Sequence, residues 1–127
     1  MMFHDTVTIF NRMDNIWHAT VLNGVEAQEV AAQSNSKDGN VPENQCNLHI
    51  PEGLMKEYVK PMQWKGEGYT IRCGDFFMIG DYDKDSINDD DYTVGFQDYM
   101  KNNSDSVYQI ASVSLFKAIK HIEVVGK

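Results

Sequence analysis

Thr6-Val7-Thr8-Ile9-Phe10, followed by Ile16-Trp17-His18-Ala19-Thr20-Val21-Leu22, decides the fold. Val7 and Ile9 point one way and Thr6 and Thr8 the other, the period of two that marks a strand. In the second stretch Trp17, Ala19 and Val21 share one face, and His18, Thr20 and Leu22 the other. Asn11-Arg12-Met13-Asp14-Asn15 lies between them and supplies turn chemistry through Asp and Asn. The two stretches therefore read as a hairpin whose second strand covers residues 16–25. The pattern returns late in the chain, in Ser106-Val107-Tyr108-Gln109-Ile110-Ala111-Ser112-Val113 and in His121-Ile122-Glu123-Val124-Val125. Between these ends, Cys46-Asn47-Leu48-His49-Ile50-Pro51 alternates, and Pro51 stops the strand because it has no N–H for a ladder. Tyr69-Thr70-Ile71-Arg72-Cys73 and Phe76-Phe77-Met78-Ile79-Gly80 read as two further strands. One helical turn is expected around residues 54–58 and one short helix over residues 95–101. Pro61-Met62-Gln63-Trp64 is expected to lay Trp64 against the sheet.

The irregular spacing of strands, with turn signals between them, favours a barrel or sandwich over a βαβ fold. The expected fold is mainly β: a small antiparallel β-barrel of six to seven strands, with long loops and one or two short helices. Residues 1–127 are expected to form a single domain, because a chain this long builds one core without metal or disulfide help. The apolar share of 42% supports such a core. Cys46 and Cys73 fit free, packed thiols in a reducing compartment. Met1-Met2-Phe3-His4-Asp5 lacks the basic and apolar segments of a signal peptide, and no apolar run is long enough for a membrane helix.

Two loops stand out. Residues 28–45 are polar and hold Ser34, Asn35, Lys37, Asp38 and Asn40, too few apolar groups to offset the entropy of ordering. Residues 81–92 hold six aspartates against Lys84 alone, a net −5 of the chain's −8. So acidic a chain lacks the clustered cations that phosphate neutralisation needs, which disfavours free binding to nucleic acid. Asp81, Asp83 and Asp85 are weak candidates for a divalent-cation site. Their spacing matches the first three ligands of an EF-hand loop, but Ser86 stands where that loop needs Gly and Tyr92 where it needs Glu. Cys46 and His49 lie an odd number of residues apart, so a strand sends them to opposite faces and they do not form half of a zinc site. No Gly-x-Ser-x-Gly elbow and no Gly-rich phosphate loop is present, so no enzyme and no cofactor is expected. The aromatics Trp17, Trp64, Tyr69, Phe76, Phe77, Phe96 and Tyr108 are expected in the core rather than on a base-stacking platform, since no basic residues accompany them.

The order of these features resembles a family of small phage and prophage proteins of Gram-positive hosts, the minor capsid or head–tail connector (stopper, head-completion) proteins. The residues that carry the resemblance are Asp5-Thr6-Val7-Thr8-Ile9-Phe10-Asn11 and Trp17-His18-Ala19-Thr20-Val21-Leu22-Asn23-Gly24-Val25, then Leu48-His49-Ile50-Pro51, Pro61-Met62-Gln63-Trp64 and Gly74-Asp75-Phe76-Phe77-Met78-Ile79-Gly80-Asp81. Tyr108-Gln109-Ile110-Ala111-Ser112-Val113 and His121-Ile122-Glu123-Val124-Val125-Gly126-Lys127 look like the family's closing pair of strands. Ile122 departs from the pattern, which leads one to expect an aromatic after the His, and the Asp-rich loop is more acidic than the pattern. The resemblance implies a non-enzymatic virion protein at the phage neck, present in the host cytoplasm before assembly. It implies a homo-oligomeric, twelvefold ring between the portal or adaptor and the tail proteins, with DNA passing through the channel without sequence-specific binding and with no membrane partner. The loop at residues 28–45 would reach into that channel. Two alternatives stay open: another neck or tail-terminator ring protein, or a free-standing β-barrel binding module whose acidic loop holds a divalent cation.

Overall fold

A computed structural model describes residues 4–30, 45–104, 106–118 and 120–127. Seven strands form in chain order: β1 (Asp5–Met13), β2 (Ile16–Val30), β3 (Gln45–Pro51), β4 (Phe76–Ile79), β5 (Ser86–Asn88), β6 (Val107–Phe116) and β7 (His121–Gly126). One helix, α1 (Phe96–Asn103), and two short 3₁₀ segments, Glu52–Glu57 and Asp89–Asp91, complete the structure. Six strands close a ring in the order β1-β4-β6-β7-β3-β2, with β2 pairing back onto β1, and β5 adds to β2 outside the ring. Every strand pair is antiparallel. The expected small antiparallel barrel is the observed one, and closure leaves its six strands without a free edge.

The first hairpin turns in two residues rather than five. Met13 pairs with Ile16, and Asp14 takes a left-handed φ of 55°. Asn11 therefore belongs to β1, not to the turn. Strand β2 also runs past the expected end at Val25, to Val30, so residues 28–30 and Gln45 of the predicted polar loop are paired strand residues. The reason lies at Gly24. Asp5 pairs with Val25 but Thr6 pairs with Asn23, which leaves Gly24 as an extra residue with φ 99°. This bulge shifts the alternation by one residue, so Leu22 and Val25 both face inward despite their odd spacing. A second irregularity, between Ile110 and Ser112 of β6, does the same for Ile110 and Val113.

All six ring strands supply inward side chains to one core, among them Val7, Ile9, Leu22, Leu48, Phe77, Ile110, Ile122 and Val124. Tyr69 and Ile71 join it, although the expected strand at residues 69–73 does not form a ladder and makes only isolated bridges at Tyr69 and Cys73. A second core lies on the outer side of the same wall. Phe10, Trp17, Phe76 and Val107 face outward and are covered by Ile87 of β5 and by Phe96 and Met100 of α1. Phe10 stacks on Phe76 with ring centroids 4.5 Å apart, and Phe96 meets Phe10 edge-on at 5.4 Å. Strand β1 is thus buried on both faces, and Thr8, on the face away from Val7 and Ile9, is buried too. Its hydroxyl is fully buried, donating to the Gly80 carbonyl at 2.8 Å and accepting from the Tyr82 amide at 3.0 Å. Trp64 is buried against His18 of β2 as expected, with Met62 beside it 98% exposed. Cys46 is packed in the barrel, whereas Cys73, expected to be packed, is exposed.

Candidate functional site

The acidic stretch folds back on the β1–β2 hairpin, and much of it is structured rather than a simple solvated loop. Residues 86–88 form β5, and Asp89–Asp91 make a 3₁₀ turn capped by the Asn88 side chain. Asp89 is the hub. Its Oδ1 accepts from the Trp17 indole at 3.0 Å and from the Phe96 amide at 2.9 Å, while Oδ2 lies 3.4 Å from the Arg12 guanidinium. The Phe96 amide is one of the donors left open at the start of α1, so this carboxylate ties the helix to the hairpin. That amide, then the indole, hold the Asp89 carboxyl below its ordinary value of 3.8. A group whose folded value is depressed stabilises the fold above its ordinary value and loses that contribution as pH falls through the folded one. Asp89→Ala is expected to cost about 2–3 kcal/mol in urea unfolding at neutral pH, because the indole and amide lose their acceptor. The difference between the two proteins should shrink as pH drops below 3.8. A cost under half a kilocalorie, or one independent of pH, contradicts this role.

Asp81, Asp83 and Asp85 are all exposed, and the structure does not draw their carboxylates into a common ligand cluster. The Asp85 backbone carbonyl instead accepts from the Ala19 amide at 2.9 Å, pinning the loop to β2. Ser34, Asn35, Lys37, Asp38 and Asn40 lie outside the described residues.

A second surface patch carries the opposite sign. An open groove of about 650 Å³ runs between the 3₁₀ segment Glu52–Glu57, the chain after it and the β6–β7 hairpin. Lys56, Lys60, Lys117 and Lys120 line it together with Glu52. Its apolar part includes Leu115 and Phe116, 45% and 43% exposed, and a companion hollow extends it to Met62. The two walls of the groove lie differently: residues 58–63 lead into Trp64, which packs on His18 of β2, the cross-strand partner of Ser86, whereas the other wall is the β6–β7 hairpin. In the ring, the β1–β2 pair that carries the acidic residues is separated from the β6–β7 pair by β4 on one side and β3 on the other.

A third cluster sits on the outer face of β3 and β7. His49 pairs with Glu123 in register, and Pro51 with His121, so His49, His121 and Glu123 converge. His49 Nε2 lies 3.3 Å and His121 Nε2 2.9 Å from the two oxygens of Glu123. Hydrogen bonds from His121 and His49 hold the Glu123 carboxyl below its ordinary value. Among the described residues, this is where three metal-ligating side chains come together. The alternation in His121-Ile122-Glu123 does place the last two ligands on one face, but His49 joins them only through the register of β3 against β7.

Two buried groups are poor candidates for chemistry. Burial, with Glu29 and Asp5 nearby, pushes the Cys46 thiol up to about 12, so it stays protonated rather than becoming a nucleophilic thiolate. Burial and the Glu29 carboxylate that accepts from its hydroxyl push the Tyr108 phenol up as well. Among the described residues no helix is long and apolar enough to cross a membrane.

No curated protein and no solved structure matches the chain. The model of a family of unknown function (DUF6751) matches residues 2–127, and with nearly the whole chain aligned to it the protein belongs to that family.

Proposed function

We propose that this protein is a non-enzymatic structural subunit that assembles head-to-tail into a ring, and that the ring is the head–tail connector, or stopper, at the neck of a tailed phage. The observation that supports it is the presence of two unlike patches on one barrel: the acidic stretch packed on the β1–β2 hairpin, and the lysine-rimmed apolar groove beside the β6–β7 hairpin. A patch that meets a different patch on its neighbour makes a heterologous contact, and such contacts close into rings when the rotation allows. Exposed Met62, Leu115 and Phe116 supply apolar area, and the lysines supply the charge that orients the approach of the acidic face. The phage assignment rests on the ordered sequence resemblance. A net charge of −8 also suits a channel through which DNA must slide without being held.

Sedimentation of the purified chain at rising concentration tests the contact. Self-association is expected to weaken as salt increases, and Lys117→Glu with Lys120→Glu should weaken it more than ten-fold while leaving the fold intact. Association that is indifferent to both changes rules out the proposed interface. For the assignment itself, mass spectrometry and electron microscopy of purified particles should find the chain in the neck. Finding it only in host cytosol refutes that role.

A further inference from the structure

We propose that the outer face of the β3–β7 seam is a binding site for a borderline divalent transition metal, with zinc as the type case, ligated by His49, His121 and Glu123. The site does not depend on ring assembly. Antiparallel register sets His49 opposite Glu123 and Pro51 opposite His121, and the two-residue step along β7 puts His121 and Glu123 on the same face. The three donor atoms lie within 4.8 Å of one another. With metal–ligand bonds of about 2.0–2.1 Å, tetrahedral coordination places donors roughly 3.4 Å apart. His49 Nε2 lies 3.3 Å from one Glu123 oxygen and His121 Nε2 2.9 Å from the other, so a small rotation of the carboxylate, or ligation through both oxygens, brings the three side chains onto one ion.

The surroundings are built as metal sites are built. Glu26 is the cross-strand partner of His49 on the other side, and its Oε2 lies 3.6 Å from His49 Nδ1. A carboxylate on this side of the imidazole, just beyond hydrogen-bond distance, favours the tautomer that presents Nε2 to the ion once the two close up. The Phe116 ring stacks on His121 at 4.5 Å with planes 3° apart, and His49 meets His121 edge-on at 5.2 Å, so both imidazoles are oriented by packing. Two imidazoles and one carboxylate select zinc, nickel, copper or cobalt over calcium or magnesium, which prefer all-oxygen shells. His49 and Glu123 are partly exposed, so an ion can reach them from solvent. An ion here would link β3 to the last strand of the ring.

Calorimetric titration of the untagged full chain with zinc chloride at neutral pH is expected to give one ion per chain, with calcium and magnesium giving no binding. Cobalt should give the visible bands of a tetrahedral N,O site. His49→Asn and His121→Asn are each expected to weaken zinc by more than about 100-fold, and Glu26→Gln, which touches only a ligand, by about 10–100-fold. In the unaltered protein, zinc should shift the imidazole resonances of His49 and His121 and leave those of His18 in place. Absence of saturable zinc binding, undiminished affinity in the doubly substituted chain, or shifts centred on His18 or Cys73 overturns the site.

Discussion

Asn11→Ala is expected to lower the stability of the protein by about 3–4 kcal/mol, moving the urea midpoint sharply down with little change in slope. Asn11 is fully buried in β1, and it holds a segment that has no ladder of its own. Its Nδ2 donates to the Thr70 carbonyl at 2.7 Å and to Asp75 Oδ2 at 3.0 Å, and its Oδ1 accepts from the Thr70 amide at 3.1 Å. One side chain thus replaces both rungs that a neighbouring strand would supply to Thr70, itself fully buried. Removing it leaves a buried N–H and a buried C=O unpaired, each costing roughly 1–3 kcal/mol, and adds a cavity. Asn11→Asp should do no better. A carboxylate cannot donate to the Thr70 carbonyl, and it would face Asp75, already bound by Arg72 at 2.8 Å. A loss below 1 kcal/mol in Asn11→Ala would mean that residues 69–73 are held by something else.

Gly68→Ala should be comparably damaging, at about 3–4 kcal/mol, combining overpacking with left-handed strain. Gly68 has φ +69°, and a Cβ there would stand 2.2 Å from the Glu57 carbonyl oxygen. That oxygen cannot retreat freely, because it accepts the Tyr69 amide at 3.0 Å, while the Tyr69 carbonyl accepts the Val59 amide at 2.8 Å. Tyr69 is fully buried and donates its hydroxyl to the Leu54 carbonyl at 2.7 Å, so displacement reaches the barrel core. Gly53 serves as the control. It has open space around it and no positive φ, and Gly53→Ala is expected to be neutral or slightly stabilising. Equal effects at the two positions, read by thermal unfolding, contradict the steric account.

The strands with the cleanest alternation were legible in advance because their signal is local. Val7 and Ile9, Leu48 and Ile50, and Ile122 and Val124 each repeat every two residues and face the same core. The end of β2 was not legible, because the Gly24 bulge breaks the period and outward Glu26 and Gln28 resemble loop residues. Strand β5 hid inside the acidic run, since three residues carry no measurable period and only Ile87 is buried. Residues 69–73 misled in the opposite direction. Their β-branched and aromatic residues are buried as in a strand, but the Asn11 side chain satisfies the Thr70 backbone and the chain around Glu57 and Val59 that of Tyr69. The charge of the acidic stretch was plain from composition, whereas the hub role of Asp89 needed Trp17 and Phe96 to arrive from distant elements.

By itself the sequence determined the class of the fold, the aromatic content of its core and the strong acidity of residues 81–92, because alternation, apolar content and charge are properties of neighbouring residues. Only the tertiary structure decided which strands remote in sequence meet. Ring closure sets β3 against β7 in one register, and that register assembles His49, His121 and Glu123. The same closure brings residues 52–63 and the β6–β7 hairpin together around the lysine groove. Pairing between remote strands depends on how all six close together, so no local pattern encodes it.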